Sequence, residues 1–532
     1  MDLDQIEQLL SGSGIGPPLY AEIAAQVAAR LRKALQCFVY ASSIVAVDGA
    51  LCALARRGQD KYLALLSGPA SALPVSSFRG ERRPFKAGLS ILLCETTHEN
   101  AAALRRALPF TAPSLVGLRC SVGCGDRLGI TTPGHVRAVR DSGLLGVFAQ
   151  QSIREMERTG RSPEQVMDNA TWGVFQEGYR DGFGSDADHL KTVADIDACL
   201  AAGFTLFTID PGAYVDNAAH SEEMPIVAAK FERLPWNALE SSPSDCRHRC
   251  IGQNIDLGQH GAITLSEETV LRAAAKYGAA IAHTTSLYRH LAARRRPHEF
   301  ELEISVDETD TPTSPEEHFF VASELKRLGV QWVSLAPRFV GEFEKGVDYR
   351  GDLDIFEVEF ARHAALARRL GPYKLSLHSG SDKFSVYTVI ARHAEGLFHL
   401  KTAGTSYLEA LRVVALCEPT LFREILAFAI ARYPEDRVSY HVSADPSRAP
   451  QPGELRDAQL AGVLDQFDAR EVLHVTFGSV LNATDDSGYR FRDRLYCTLR
   501  EHEETFYTAV AKHIRQHIAP FARKLPSSAE PE

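Results

Sequence analysis

The 532-residue chain has no run approaching the roughly 18 uninterrupted apolar residues of a membrane span, which sets integral membrane proteins aside. It has no basic surplus either: 58 Lys and Arg stand against 68 Asp and Glu, a net charge of −10. A surface that grips nucleic acid through its phosphates needs the opposite balance. An anionic small molecule is still allowed, because one pocket can be locally basic. The opening residues, Met1-Asp-Leu-Asp-Gln-Ile-Glu, lack the basic start and apolar stretch of a secretory signal, so a soluble cytoplasmic protein is expected. No Gly-x-Gly-x-x-Gly follows a strand-like run, which leaves a bound nicotinamide unsupported. Closely spaced cysteines are scarce as well. Most of the ten, such as Cys94, Cys199 and Cys417, sit singly in apolar stretches, the habit of buried reduced thiols. Cys246-Arg-His248-Arg-Cys250 has a metal-like spacing but no second pair nearby to complete four ligands, and it reads as a loop.

With 45% hydrophobic and 24% charged residues, the chain is ordinary globular material, long enough for more than one structural unit. Residues 1–115 read as a leading α/β unit: a helix near Pro18–Leu35, runs at Cys37–Ala46, Tyr62–Leu66 and Leu89–Cys94, and a helix at Asn100–Leu108. Nothing in that unit looks chemical, and it is expected to pack on the main domain or on a second subunit, as in a homo-oligomer. From 116 to 485 short apolar runs alternate with helical segments, the signature of βα units and a parallel sheet. The runs are Cys120–Val122, Gly146–Gln150, Asp188–Lys191, Phe204–Ile209, Phe300–Val306, Trp332–Ala336, Lys374–His378 and Phe398–Thr402. Eight is the number of a (β/α)8 TIM-like barrel. Two more runs, Val438–Val442 and Val472–Phe477, exceed that number, so one or two of the eight could lie outside the barrel. An irregular insertion at about 213–260 is expected over one end of the barrel, followed by a long helix that Ser266-Glu-Glu caps. Residues 486–532 read as a helical tail with fraying at Pro526–Glu532.

The tetrapeptide His-Leu-Lys-Thr occurs at 189–192 and again at 399–402, each time where a strand runs out into a loop. Residues two apart on a strand share a face, so each copy aims an imidazole and an ammonium together. A third strand ends in Lys374-Leu-Ser-Leu-His378-Ser-Gly-Ser-Asp382. Three histidines at strand ends suit a divalent metal, and polar groups at the carboxyl ends of barrel strands line active sites. Glu301, Glu303, Ser305 and Asp307 alternate with Leu302, Ile304 and Val306; that row is either a solvated edge strand or a set of carboxylates facing a metal or sugar hydroxyls. Gly380 and Gly404 would let backbone amides approach an anion.

Several of these segments resemble the tagaturonate/fructuronate epimerase family. The likeness lies in Gly125-Asp-Arg-Leu-Gly129, Phe148-Ala-Gln-Gln-Ser-Ile-Arg-Glu155, Asp186-Ala-Asp-His-Leu-Lys-Thr192, Phe207-Thr-Ile-Asp-Pro-Gly212, Lys374 to Asp382 and His399-Leu-Lys-Thr-Ala-Gly-Thr-Ser-Tyr407. The resemblance implies a bacterial hexuronate-pathway isomerase that takes a small sugar acid and uses a divalent metal such as zinc, manganese, nickel or cobalt. Tagaturonate and fructuronate differ at the carbon β to the ketone, whose C–H is not activated. Enolisation would therefore scramble the wrong centre, and retro-aldol cleavage with re-addition is the expected route. That chemistry asks for a Lewis acid and a base. The expected metal ligands are His189, His378 and His399, with Asp188 and Glu303 as the acid/base pair. Strand alternation, though, would turn Asp188 away from His189. Gln151, Ser152, Thr208, Asp210, Arg338, Ser379 and Lys401 are expected to bind substrate, with Lys401, Arg338 and Ser152 serving its carboxylate. The alternatives are a metal-dependent sugar-acid aldolase and a non-catalytic sugar-acid-binding protein.

Overall fold

The computed structural model describes residues 8–522 with the exception of residue 487. The expectations at Met1–Glu7 and Pro526–Glu532 lie outside the described residues. Eight parallel strands, β1 (Ser121–Cys124), β2 (Leu145–Ser152), β3 (Gly184–Leu190), β4 (Leu206–Ile209), β5 (Glu301–Val306), β6 (Ser334–Pro337), β7 (Lys374–Leu377) and β8 (Phe398–Thr402), close in chain order into a barrel. They are the eight apolar runs expected from the sequence. The two extra runs are not strands. Val472–Val475 belongs to the helix Phe467–Val475, and Val438 to a single turn at Arg437–Ser439. Ala469, Val472 and Val475, all buried, fall three apart on one helical face, and burial of that face outweighs the strand preference of valine.

Local signals set the βα units. Thr192 caps the helix Val193–Ala202 in a reciprocal box with Asp195, and Gly203 ends it at φ 89°, delivering the chain to β4. Ser266 likewise caps the 26-residue helix Glu267–Ala292. Between β4 and that helix lie two short helices, Met224–Glu232 and Pro243–Cys250, and a small hairpin. Cys246 and Cys250 are therefore one helical turn apart, both buried, and not on a loop. Arg249 pairs with Glu324 at 3.0 Å, which fixes the helix on the outside of the barrel.

The N-terminal part is a six-stranded antiparallel sheet between two layers. Leu51, Ala53 and Ala55 face the helix Ala21–Leu35, while Cys52 and Leu54 face His98–Ala107 and, through Trp172 and Phe175, the barrel helix Pro163–Glu177. At the other end of the chain, the helix Glu503–Ile518 packs against Thr132–Val139 and Thr405–Cys417. Among the described residues no helix is long and apolar enough to cross a membrane.

The barrel interior is unusually polar. All of β5 is buried, so the solvated edge strand does not apply. At its lower end Glu301 accepts hydrogen bonds from the backbone N–H groups of Val116 and Gly117, at 2.7 and 2.5 Å. Across the interior, Lys374 is fully buried and donates to Ser121 Oγ at 3.1 Å, with no carboxylate within ion-pair distance among the described residues. Burial pulls its pKa down to about 8. The folded state therefore carries the cost of a buried ammonium below pH 8 and sheds it above, while the unfolded chain keeps its proton to about pH 10.4. Lys374→Met is expected to raise unfolding free energy at pH 7 by about 2–3 kcal/mol, an advantage that shrinks between pH 8 and about 10.4. Urea unfolding of both proteins at pH 7 and pH 10 measures it; an advantage that grows with pH would show the ammonium to be stabilising.

Candidate active site

Two departures from regular strand geometry build the site at the carboxyl end of the barrel. In β3 the register against β4 shifts after Ala187, and His189 lies at φ 54°. That bulge turns Asp188 and His189 into the barrel together, where a regular strand would send one of them out. A left-handed histidine costs on the order of 1–2 kcal/mol, strain typical of functional positions. Beyond β7, Ser379 and Asp382 also have positive φ, at 50° and 62°, so the chain curls over the barrel mouth directly after His378. The rings of His189 and His378 stand 5.0 Å apart. Ligand atoms of Asp188, His189 and His378 all lie within 4.8 Å of one another.

Each imidazole is held by a carboxylate. Asp210 sits 3.2 Å from His189 Nδ1 and 3.1 Å from Lys191, and also accepts the Gly212 amide. Glu303 sits 2.7 Å from His378 Nε2, and Asp307 3.1 Å from its Nδ1. Burial alone would lower both histidine pKa values. Asp188 and Asp210 push His189 up to about 9, and Asp307 with Glu303 pushes His378 up to about 10. Asp188 and Asp307 are held below the usual carboxylate range, their cationic neighbours outweighing burial.

Beneath this pair lies Lys401. Its ammonium is 2.7 Å from each of Asp186, Asp188 and Glu303 and 2.8 Å from Thr208 Oγ1, and the side chain is 4% exposed. Burial would favour the neutral amine, but three carboxylates raise its pKa well above the ordinary value. Asp186, where burial prevails over the ammonium, is raised to about 6. Lys401 is thus committed to its carboxylates and is not the anchor for a substrate carboxylate that its sequence position suggested.

The remaining expected residues divide clearly. Ser379 and Arg338 line a cavity of about 330 Å³ above the imidazoles, bordered also by Asp307, Lys345, Arg154 and Tyr440. His399 is not with them. It lies deeper in the barrel, fully buried, 2.8 Å from Ser121 Oγ, and burial lowers its pKa to about 3. It shares a strand face with Lys401 but sits two residues lower, outside the donor cluster. Ser152 caps the helix Ile153–Thr159, and Gln151 donates to Glu155 at 2.9 Å, so both serve the local turn. Thr208 bonds Asp186 at 2.8 Å. Glu303 has both oxygens occupied, by His378 and Lys401 on one side and Ser334 (2.6 Å) on the other, which leaves it orienting His378 without facing the cavity. The two glycines offer no anion site either. The Gly380 amide donates to Lys401 O at 3.0 Å, and Gly404, at φ 83°, makes room for His474, which a Cβ would approach to 2.4 Å.

The sequence names Asp307 only as one of the carboxylate row that starts at Glu301, and it gives no role to Asp186 or Lys345. The alternation Asp186-Ala-Asp188 could have revealed the first of these two. Lys345 lies on an irregular loop with no periodic signal. A larger cavity, of about 490 Å³, lies between the N-terminal sheet and the C-terminal helices and contains none of the barrel-mouth groups.

A sequence profile described as tagaturonate epimerase matches residues 40–521. A tagaturonate/fructuronate epimerase of Thermotoga maritima is 45% identical over 480 residues, covering 90% of this chain and 96% of that protein. The crystal structure of a fructuronate-tagaturonate epimerase from Cohnella laeviribosi complexed with one glycerol superposes with a TM-score of 0.86 at 40% identity, covering 94% of this chain and 99% of that one. The native crystal structure of the same enzyme matches equally well.

Proposed function

The chain belongs to the tagaturonate epimerase family, and on that footing we propose that it interconverts tagaturonate and fructuronate by breaking and re-forming one carbon–carbon bond beside Asp188, His189 and His378. It is an isomerase acting on hexuronates. The observation that carries the mechanism is the donor cluster at the carboxyl end of the barrel, placed under a cavity of small-molecule size.

The donor set fits a divalent cation. Two imidazoles and one carboxylate oxygen converge, each imidazole is oriented by a carboxylate behind it, and carboxylates outnumber the buried ammonium of Lys401. Bound there, such an ion would supply Lewis-acid polarisation of the substrate ketone. The chain's own groups do the rest. Asp210 fixes the ring of His189 and Glu303 that of His378. Lys401 keeps Asp188 ionised and in place. With Glu303 turned away from the cavity, the base is Asp307, ionised and lining it.

Asp307 takes the hydroxyl proton from the carbon to be inverted. The bond from that carbon to its neighbour next to the ketone then breaks, and its electron pair passes to the ketone fragment as an enediolate. The other fragment is a three-carbon aldehyde that carries the carboxylate. After the aldehyde turns, the same electron pair attacks its opposite face, and Asp307 returns the proton to the new alkoxide.

The hydrogen on the inverted carbon stays attached throughout. Turnover of tagaturonate in deuterated water is therefore expected to give fructuronate unlabelled at that carbon, read by proton and deuterium NMR. Deuterium incorporated there with turnover would sink the retro-aldol route in favour of proton abstraction at that carbon.

A further inference from the structure

Three cations of Lys or Arg type border the cavity, and two of them are already engaged. Arg154 lies 3.3 Å from Glu308, and Arg338 donates to the carbonyl of Thr309 and lies 4.0 Å from Glu342. Lys345 differs. Its ammonium donates to Ser379 Oγ at 2.6 Å and, among the described residues, has no carboxylate within ion-pair distance. The loop that carries it is held firmly, because the wholly buried Lys383 donates to the backbone carbonyls of Glu344, at 2.7 Å, and of Val347.

We propose that Lys345 is the carboxylate subsite of the substrate, and that it holds the three-carbon aldehyde acid while the carbon–carbon bond is open. This rests on the epimerase reading given above. An ammonium beside Ser379, the neighbour of His378, places a charge at the edge of the donor cluster. Burial and the nearby Arg154 act against that charge, and the carboxylates of Asp307, Glu308 and Glu155 only partly offset them, so an arriving carboxylate restores what the site lacks. Cleavage puts the substrate carboxylate on the aldehyde fragment, which then has no covalent tie to its partner. A single ionic contact is enough to retain it.

The choice of lysine matters to the stereochemistry. The aldehyde must turn before the bond re-forms, and a point charge on a flexible stem lets a carboxylate pivot. A bidentate guanidinium fork would fix its orientation.

The test uses Lys345→Met and Lys345→Arg in the intact protein, with two readouts. The first is calorimetric titration with gluconate and with sorbitol, which differ in having a carboxylate or a hydroxymethyl group at one end. Lys345→Met is expected to weaken gluconate binding by about tenfold or more and to leave sorbitol unchanged, while Lys345→Arg keeps gluconate. The second readout is turnover of tagaturonate with assay of released dihydroxyacetone. Lys345→Met should raise KM and release fragments that the wild type retains, and Lys345→Arg should lower kcat more than it raises KM. Wild-type gluconate affinity in Lys345→Met would overturn the proposal. Equal losses for gluconate and sorbitol would also overturn it, by showing a general disturbance of the cavity. If the wild type binds gluconate through Lys345 but does not convert tagaturonate, the epimerase reading falls and the carboxylate subsite stands.

Discussion

Purified His378→Ala is expected to retain little divalent metal and to turn over tagaturonate about a thousandfold more slowly than the wild type, or worse. His378 is the residue on which most of the barrel mouth converges. It meets Glu303 and Asp307 on its two nitrogens and faces the ring of His189 at 5.0 Å. Without it, one nitrogen donor is gone and the remaining pair, Asp188 and His189, is too few to hold an ion against water. The loss should be functional without being global. Glu303 keeps its contacts with Lys401 and Ser334, and Asp307 borders the cavity, where water can reach it. Metal analysis after dialysis, together with circular dichroism, checks this. Full metal content in a folded His378→Ala protein would remove that histidine from the donor set.

Lys401→Met should unfold far more easily, with a loss of about 3–5 kcal/mol. One ammonium now pairs with Asp186, Asp188 and Glu303, each 2.7 Å away and none more than 10% exposed. Its folded pKa lies above the unfolded value, so the stability it contributes is complete below about pH 10.4 and is lost only at higher pH. Removing it leaves three carboxylates buried among one another. The variant can relieve that repulsion by binding protons, so its deficit should be largest at pH 7 and smaller at pH 5. Denaturant unfolding at the two pH values is the measurement. A deficit that is unchanged or larger at pH 5 would mean that Lys401 acts through packing and not through charge. Methionine is the suitable replacement, because it keeps most of the length of the stem while removing the charge.

Much of the barrel was legible in the chain because its signals are local. The eight apolar runs, the Thr192/Asp195 box, Gly203 and the Ser266 cap each act within a few residues, and the structure contains all of them. Val438, on a single turn and 85% exposed, has neither burial nor strand, and the run at Val472 misled because valine reports burial as well as strand. Only the packing of the helix Phe467–Val475 decides between the two.

The site divides along the same line. His189, His378 and Asp188 stand at strand ends, and a parallel barrel brings strand ends together whatever its details, so the sequence alone determined that imidazoles and carboxylates would meet at one mouth. Which of them meet was left to the tertiary structure. The left-handed φ of His189 admits Asp188 and His189 to the same side, against strand alternation. His399 and Lys401 share the motif and the strand face of the other pair, but in a regular strand they fall at different depths. One is left beside Ser121 and the other is surrounded by three carboxylates contributed by β3 and β5. Charge pairing of that kind joins residues 98 to 215 positions apart, and no spacing rule reaches so far. Lys345 is the extreme case: that no carboxylate lies within ion-pair distance of it among the described residues is a property of its surroundings, and only the folded chain has surroundings.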